Sequence, residues 1–379
     1  MSQIVTHANP DLEILAGNKS RCTHADHRRR GFHNLYRLAR YSIGLRAARV
    51  MPLEKRVDLR IARDEGVSRL LALPWFSAVL VVRGQDILFE HYASDFSKDH
   101  PHSIQSITKT TLNLIIGQLL DQGLLDLSRP VADYIPTIGS GYAHASLQQV
   151  LNMDVVNDYS EDFADPQAAY YRHEEAMGWR LPLDPEHEET QRSFLVKIES
   201  ADTTNITGRM QYKDANTDVL GWIAERASGR PLRAFLADIV DAAGLEGVFH
   251  ITTDREGVPS VDGGACLTAR DLARYLSLFV RRGRGISGQV VGSSSFIEQT
   301  LSGGIAMSGP YDDMRYSNQT MVRRGCIGHS GWGGQYAVAN LETGVLAVFF
   351  SVLETEHAIN RDFIGPVIRT LHDLTLLSA

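Results

Sequence analysis

Strand-like patterning lies near both ends of this chain, in residues 76–93 and 334–352, with a helix-rich stretch between, and that order limits the fold more than any other feature. In the first segment Val79, Leu80, Val81 and Val82 run into Arg83-Gly84-Gln85-Asp86, which is turn chemistry. Ile87, Leu88 and Phe89 then resume the apolar pattern, so a hairpin is expected. In the second, Gly334 to Ala339 and Val345 to Val352 flank Glu342-Thr343-Gly344, a second hairpin. Between them the spacing predicts helices. Residues 106–122 carry Leu112, Ile115, Ile116, Leu119 and Leu120 on one face and stop at Gly123. Further helices are expected at about 146–153, 214–228, 231–243 and 268–282, with a closing helix at about 360–377. Strands from the two ends would meet in one sheet, with the middle packed beside it as a helical lobe. The expected class is therefore α/β (α+β): an antiparallel sheet flanked by helices, plus a helical lobe. The expected division is an N-terminal arm over 1–50, a sheet domain over 51–104 and 286–379, and a mainly helical domain over 105–285. With 43% hydrophobic residues the chain has material for a large core.

Several function classes fall away early. The net charge of -7 disfavours nucleic-acid binding through the overall field. The basic run His27-Arg28-Arg29-Arg30, continued by Arg37, Arg40, Arg46 and Arg49, is interleaved with Phe32, Leu35, Leu38 and Tyr41 at helical spacing. It reads as an arm packed on the body. Cys22, Cys266 and Cys326 form no CxxC pair and suggest no disulfide framework. No stretch reaches the ~18 apolar residues of a bilayer span. The start lacks the pattern of a secretory leader. A cytoplasmic protein without membrane contact is expected. His24-Ala25-Asp26-His27 is too small a set for a zinc site. Gly328-His329-Ser330-Gly331-Trp332 fails the last position of a Gly-x-Ser-x-Gly elbow.

The chemistry-bearing candidate is Ser106-Ile107-Thr108-Lys109 at the head of an apolar helix. Residues three apart share a helix face. A serine hydroxyl needs an adjacent base, and a lysine one turn away serves if it is neutral. Burial, with a neighbouring cation or phenol, would lower its pKa. A helix N-terminus would favour developing negative charge at the serine. Among six lysines, Lys109 alone has a serine three residues before it.

These residues, followed by Gly123-Leu-Leu-Asp-Leu-Ser-Arg-Pro-Val-Ala-Asp-Tyr-Ile-Pro136, resemble the serine β-lactamase and penicillin-binding-protein superfamily in its class C-like branch. The similarity continues through Leu151-Asn-Met153, Gly264 and Thr268-Ala-Arg-Asp-Leu-Ala273, and covers most of 76–353. Tyr212-Lys213-Asp214 stands where the family has Tyr-x-Asn. The resemblance implies that Tyr212 shuttles the proton between serine and leaving group, and Asp214 departs from the asparagine that contacts substrate. His329-Ser330-Gly331 stands where β-lactamases have Lys-Thr-Gly. The resemblance implies that His329 and Gly331 line the cleft, and that the backbone N–H groups of Ser106 and Trp332 form an oxyanion hole.

Residues 159–180 and Phe32-His-Asn-Leu-Tyr36 look like 6-aminohexanoate-dimer (nylon-oligomer) hydrolases and their carboxylesterase relatives. Tyr170 or Tyr171 would cap the substrate there. The loop around them is acidic: Asp154, Asp158, Glu161, Asp162, Asp165, Glu174 and Glu175 face Arg172 and Arg180. Either it is a solvated loop or it favours substrates with a free amine. The expectation is a serine hydrolase forming an acyl-enzyme on Ser106, acting on a carboxylic ester or small linear amide. Neither metal nor organic cofactor is needed, and the resemblance makes a homodimer plausible. The alternatives are a class C-type β-lactamase or D-amino-acid peptidase, and a non-catalytic binding protein on the same fold.

Overall fold

The structure, a computed structural model, describes residues 28–377 apart from 183, 185, 310 and 354–359. His24–His27, set aside above as a zinc site, and Cys22 lie outside the described residues. The strands are β1 (Ser42–Leu45), β2 (Glu54–Lys55), β3 (Phe76–Arg83), β4 (Asp86–Tyr92), β5 (His102–Ser103), β6 (Phe249–Thr252), β7 (Ala265–Leu267), β8 (Ile305–Ala306), β9 (Arg315–Ser317), β10 (Thr320–Arg323), β11 (Cys326–Gly331), β12 (Gln335–Asn340) and β13 (Val345–Ser351). They form a nine-stranded sheet in the order β2-β4-β3-β13-β12-β11-β10-β9-β8 and a four-stranded sheet in the order β1-β6-β7-β5.

The two terminal hairpins meet as the patterning requires. β3 pairs antiparallel with β13, Val79 opposite Phe349 and Val81 opposite Ala347. Seven of the eight residues of β3 are buried, because both faces of this central strand are covered. A side-chain period of two sends alternate residues to opposite faces. Ala78, Leu80 and Val82 pack in one core with the helices Thr110–Asp121 and Ala269–Val280, while Val79 and Val81 pack in another with the helix Arg361–Thr375. The sheet is antiparallel throughout except at its edge, where β2 runs parallel to β4 for two residues.

The expected helices at 214–228, 231–243, 268–282 and 360–377 are found at Asp214–Ser228, Leu232–Ala243, Ala269–Val280 and Arg361–Thr375. One reading is corrected. The helix expected from 106 begins as a 3-10 turn, Gln105–Lys109, and becomes α-helical only at Thr110. His329 lies inside β11, just ahead of β12, the strand expected from Gly334. The small sheet has no trace in the sequence reading, since strands of two to four residues are too short to show a period.

The basic arm faces inward. In the helix Arg28–Leu38, Phe32, Leu35 and Leu38 are buried. Phe32 stacks on Trp332 with ring centroids 5.6 Å apart. The Arg28 guanidinium sits 5.3 Å over the same indole and donates to the Leu353 carbonyl. Arg29 pairs with Asp95. Apolar burial therefore ties this helix to the segment following β11. Replacing Phe32 by Ala removes a side chain only 1% exposed and leaves a cavity against Trp332. The expected loss of stability is ~3–5 kcal/mol, to be read as a lowered urea midpoint against the wild type.

Candidate active site

The turn that carries Ser106 is built by a close backbone approach. Gly331, at the end of β11, faces the turn; a Cβ there would lie 2.6 Å from the Ile104 carbonyl oxygen and 3.1 Å from Gln105 Cβ. Only glycine lets the strand and the turn touch. Gln105 itself has φ of 48°, a left-handed conformation costly for a side chain of this kind and found where the surroundings over-determine it. The surroundings do so here. Gln105 Nε2 donates to Ser103 Oγ at 2.6 Å. The Thr108 hydroxyl donates to the Gln105 carbonyl at 2.6 Å and accepts from the Ala265 N–H at 3.3 Å. Ser106 is thereby presented to a cavity of about 370 Å³.

Below the serine lies Lys109, fully buried. Its ammonium donates to Ser106 Oγ at 3.2 Å, to Asp214 Oδ1 at 2.5 Å and to the Asp262 carbonyl at 2.5 Å. It also lies 5.1 Å from the centroid of the Tyr212 ring. The expectation of a neutral lysine is overturned. Burial alone would lower its pKa, but the Asp214 carboxylate in contact with it more than offsets that and holds it above its usual value. The resting lysine is an ammonium. Tyr212 hydrogen-bonds Ser106, and burial with the neighbouring Asp214 and Glu161 carboxyls pushes its phenol well above the usual range. The resting tyrosine is a protonated phenol.

Asp214 opens the helix Asp214–Ser228, and its backbone N–H donates to Glu161 Oε1. Asp214, Glu161 and Asp262 all line the cavity. The carboxyl oxygens of Asp262, a residue 1% exposed, have no hydrogen-bond partner among the described residues. Behind them Asp218 lies 3.0 Å from His173 Nε2, and His173 Nδ1 is 3.0 Å from the Tyr159 hydroxyl. Burial pushes the carboxyls of Glu161, Asp218 and Asp262 well up. Sequence reasoning missed Asp218, Asp262 and His173 altogether. Asp262 did carry a signal: a lone acid against Gly263-Gly264 in the apolar run Val261–Leu267 is out of place in a core strand.

On the sheet side, His329 is buried. Its Nδ1 is 2.6 Å from the Ser330 carbonyl, which can only accept, so Nδ1 carries the proton. Nε2 then accepts from the Tyr316 hydroxyl at 3.2 Å. Burial and the nearby Lys109 charge push His329 down to about 3, so this neutral imidazole orients Tyr316 and carries no charge at neutral pH. Tyr316 was also missed; it meets Tyr212 edge-on with centroids 6.0 Å apart. Gly331 and Trp332 line the same cavity as Ser106. Met210, Met307, Tyr311, Phe363 and Ile364 add apolar surface to the lining.

The two candidate capping tyrosines separate. Tyr170 lines the cavity. Tyr171 does not: its hydroxyl donates to the Phe163 carbonyl at 2.8 Å and its ring lies under Arg180 at 4.4 Å. Neighbours on a helix point about 100° apart, so both could not face one cleft. The loop acids are mostly engaged locally. Asp154 accepts from Asn205 at 2.7 Å, Asp158 from the Glu199 N–H at 2.9 Å, and Glu174 pairs with Arg180 at 2.5 Å. Glu161 is the member of that set that reaches the cavity.

Comparison with known proteins places this geometry in context. Residues 77–363 match the Beta-lactamase family. The 6-aminohexanoate-dimer hydrolase of Paenarthrobacter ureafaciens is 35% identical over 254 residues, which cover 66% of this chain and 63% of that protein; the match thus spans less than two thirds of the relative. A candidate 6-aminohexanoate-dimer hydrolase from Bacillus anthracis superposes with a TM-score of 0.79 at 19% identity, covering 93% of this chain and 95% of the other. A penicillin-binding protein from Bacillus halodurans gives 0.60 at 16% identity, covering 82% and 98%. At these identities the structures speak for the fold.

The neutral histidine has a measurable consequence. His329 titrates at about 3 when folded and near 6.5 when unfolded. Between these values the unfolded chain holds the extra proton, so stability falls as pH drops below about 6.5. His33 and His372, each held at about 4 chiefly by burial, act in the same direction. His329→Asn should flatten the pH dependence of the urea unfolding free energy by up to ~1.4 kcal/mol per pH unit between pH 6 and 4. An unchanged slope would contradict the assignment.

Proposed function

The chain belongs to the Beta-lactamase family, and on that premise we propose that it is a serine hydrolase forming an acyl-enzyme on Ser106 during cleavage of a carboxylic ester or small linear amide. The observation that carries the reading is the contact of Ser106 Oγ with Lys109 Nζ at 3.2 Å, with Tyr212 on the same hydroxyl, where Ser106 lines the cavity. A nucleophile hydrogen-bonded to groups that manage its proton is the arrangement acyl transfer needs.

Ser106 attacks the substrate carbonyl and its proton enters the Lys109–Tyr212 pair. Negative charge builds on the carbonyl oxygen, for which the backbone N–H groups of Ser106 and Trp332 are the proposed donors. Collapse expels the alcohol or amine, protonated by Tyr212. The high pKa of that phenol suits a group that must hold a proton until the leaving group takes it. Water then attacks the acyl-serine and the same groups act in reverse. Each transfer uses side chains of this chain.

The substrate class is supported by the mixed lining of the cavity. It combines the acids Glu161, Asp214 and Asp262 with Met210, Met307 and Phe363, and Tyr170 lines it as well. Such a site fits a linear acyl compound with a polar end and an apolar end. Similarity to the Paenarthrobacter ureafaciens 6-aminohexanoate-dimer hydrolase points the same way.

The test is p-nitrophenol release from a short-chain p-nitrophenyl ester. Ser106→Ala should lower kcat by at least ~10³-fold, and Tyr212→Phe by ~10²–10⁴-fold with little change in KM. Equal turnover by the wild type and Ser106→Ala would remove Ser106 as the nucleophile.

A further inference from the structure

The resting site poses a problem of proton accounting. Lys109 is an ammonium and Tyr212 a protonated phenol, so neither has a free site for the Ser106 proton. An ammonium has three donors and no lone pair. It can receive a proton only after it has given one away. Of its three acceptors, Ser106 is the nucleophile itself and Asp262 offers only a main-chain carbonyl, a very weak base. The third is the Asp214 carboxylate at 2.5 Å, a short charge-assisted contact across which a proton moves with little rearrangement.

We propose that Asp214 is the terminal acceptor of the serine proton: Lys109 hands a proton to Asp214 Oδ1, and the lone pair so freed takes the proton of Ser106 as Oγ attacks the carbonyl. This inference rests on the acyl-serine reading above. The balance is complete. The Ser106 O–H bond breaks and the Oγ–C bond forms; Lys109 loses one proton and gains another; the charge that leaves Asp214 reappears on the substrate oxyanion. When the tetrahedral intermediate collapses, Asp214 returns its proton through Lys109 and Tyr212 to the leaving group.

The groups facing Lys109 and Asp214 from every side leave this role to Asp214. Glu161 is occupied with the Asp214 N–H, Asp218 faces His173, and the Asp262 carboxyl makes no hydrogen bond with Lys109. Burial pushes all three carboxyls well above the usual carboxylate range. The phenols of Tyr212 and Tyr316 stay protonated, His173 and His329 stay neutral, and Lys213 donates to the Tyr159 carbonyl at 2.6 Å. The asparagine of the family motif could hold Lys109 in place but could not take its proton. The departure at Asp214 therefore changes the chemistry of the site.

The decisive variants are Asp214→Asn, which keeps shape and hydrogen bond but not basicity, and Asp214→Glu, which restores basicity. Acylation is followed by stopped-flow p-nitrophenol bursts from pH 6 to 10. The wild-type rate should be flat between pH 7 and 9. Asp214→Asn should acylate ~10²-fold or more slowly at pH 7. Its rate should climb about tenfold per pH unit toward alkaline pH, because Lys109 must then ionise by itself. Asp214→Glu should recover part of the rate and the flat profile. A wild-type rate at pH 7 in Asp214→Asn, or a loss equal at every pH, overturns the relay; the latter is what a purely structural role would produce. Intact-mass detection of a fluorophosphonate adduct separates the two levels. Labelling of the wild type but not of Ser106→Ala upholds the acyl-serine reading whatever Asp214 does. Failure to label the wild type on Ser106 brings down both.

Discussion

The buried contact between Lys109 and Asp214 is the interaction on which the rest of the site depends. It joins the turn carrying Ser106 to the start of the helix Asp214–Ser228, and the third bond of the same ammonium, to the Asp262 carbonyl, draws in the turn ahead of β7. One fully buried cation thus holds three separate chain segments. Breaking such a pair by removing one partner costs far more than the pair contributes over an apolar replacement, because the other charge is stranded. The pair therefore acts as a register device for the site, and only secondarily as a source of stability.

Around this pair the chain has concentrated more acid than one lysine can neutralise. Asp218 and Asp262 are buried and Glu161 half-buried near Asp214, with Lys109 as their common cation. In a medium that solvates charge poorly, ionisation is disfavoured and burial pushes these carboxyls well up. His329 and Tyr316 close the site from the sheet side by a hydrogen bond whose direction follows from the Ser330 carbonyl.

The scaffold supplies rigidity where this chemistry needs it. β11 reaches the turn before Ser106 only because Gly331 has no side chain, and the left-handed Gln105 is held by the bond its amide donates to Ser103 and the one its carbonyl accepts from Thr108. The N-terminal helix, through Phe32 and Arg28, packs on Trp332 from outside. The residue proposed as an oxyanion donor is thus fixed by aromatic packing as well as by the strand that precedes it.

Much of this was legible in the residues. Two hairpins at opposite ends implied a shared sheet, glycine and proline stops placed the helix ends within a few residues, and Ser106, Lys109 and Tyr212 could be singled out before any coordinates. These features are local, carried by period, turn chemistry and spacing, and local rules read them. The neutral lysine was misjudged and Asp262, Asp218, His173 and Tyr316 were overlooked, because a pKa depends on which groups fold back upon one another from distant parts of the chain. The choice between Tyr170 and Tyr171 was likewise open until the packing of one helix decided it. The sequence by itself determined most of the longer elements, their order and the candidate serine at the head of its helix. Only the tertiary structure decided the protonation states around it, since burial and charge proximity exist only once segments remote in sequence share one low-dielectric space.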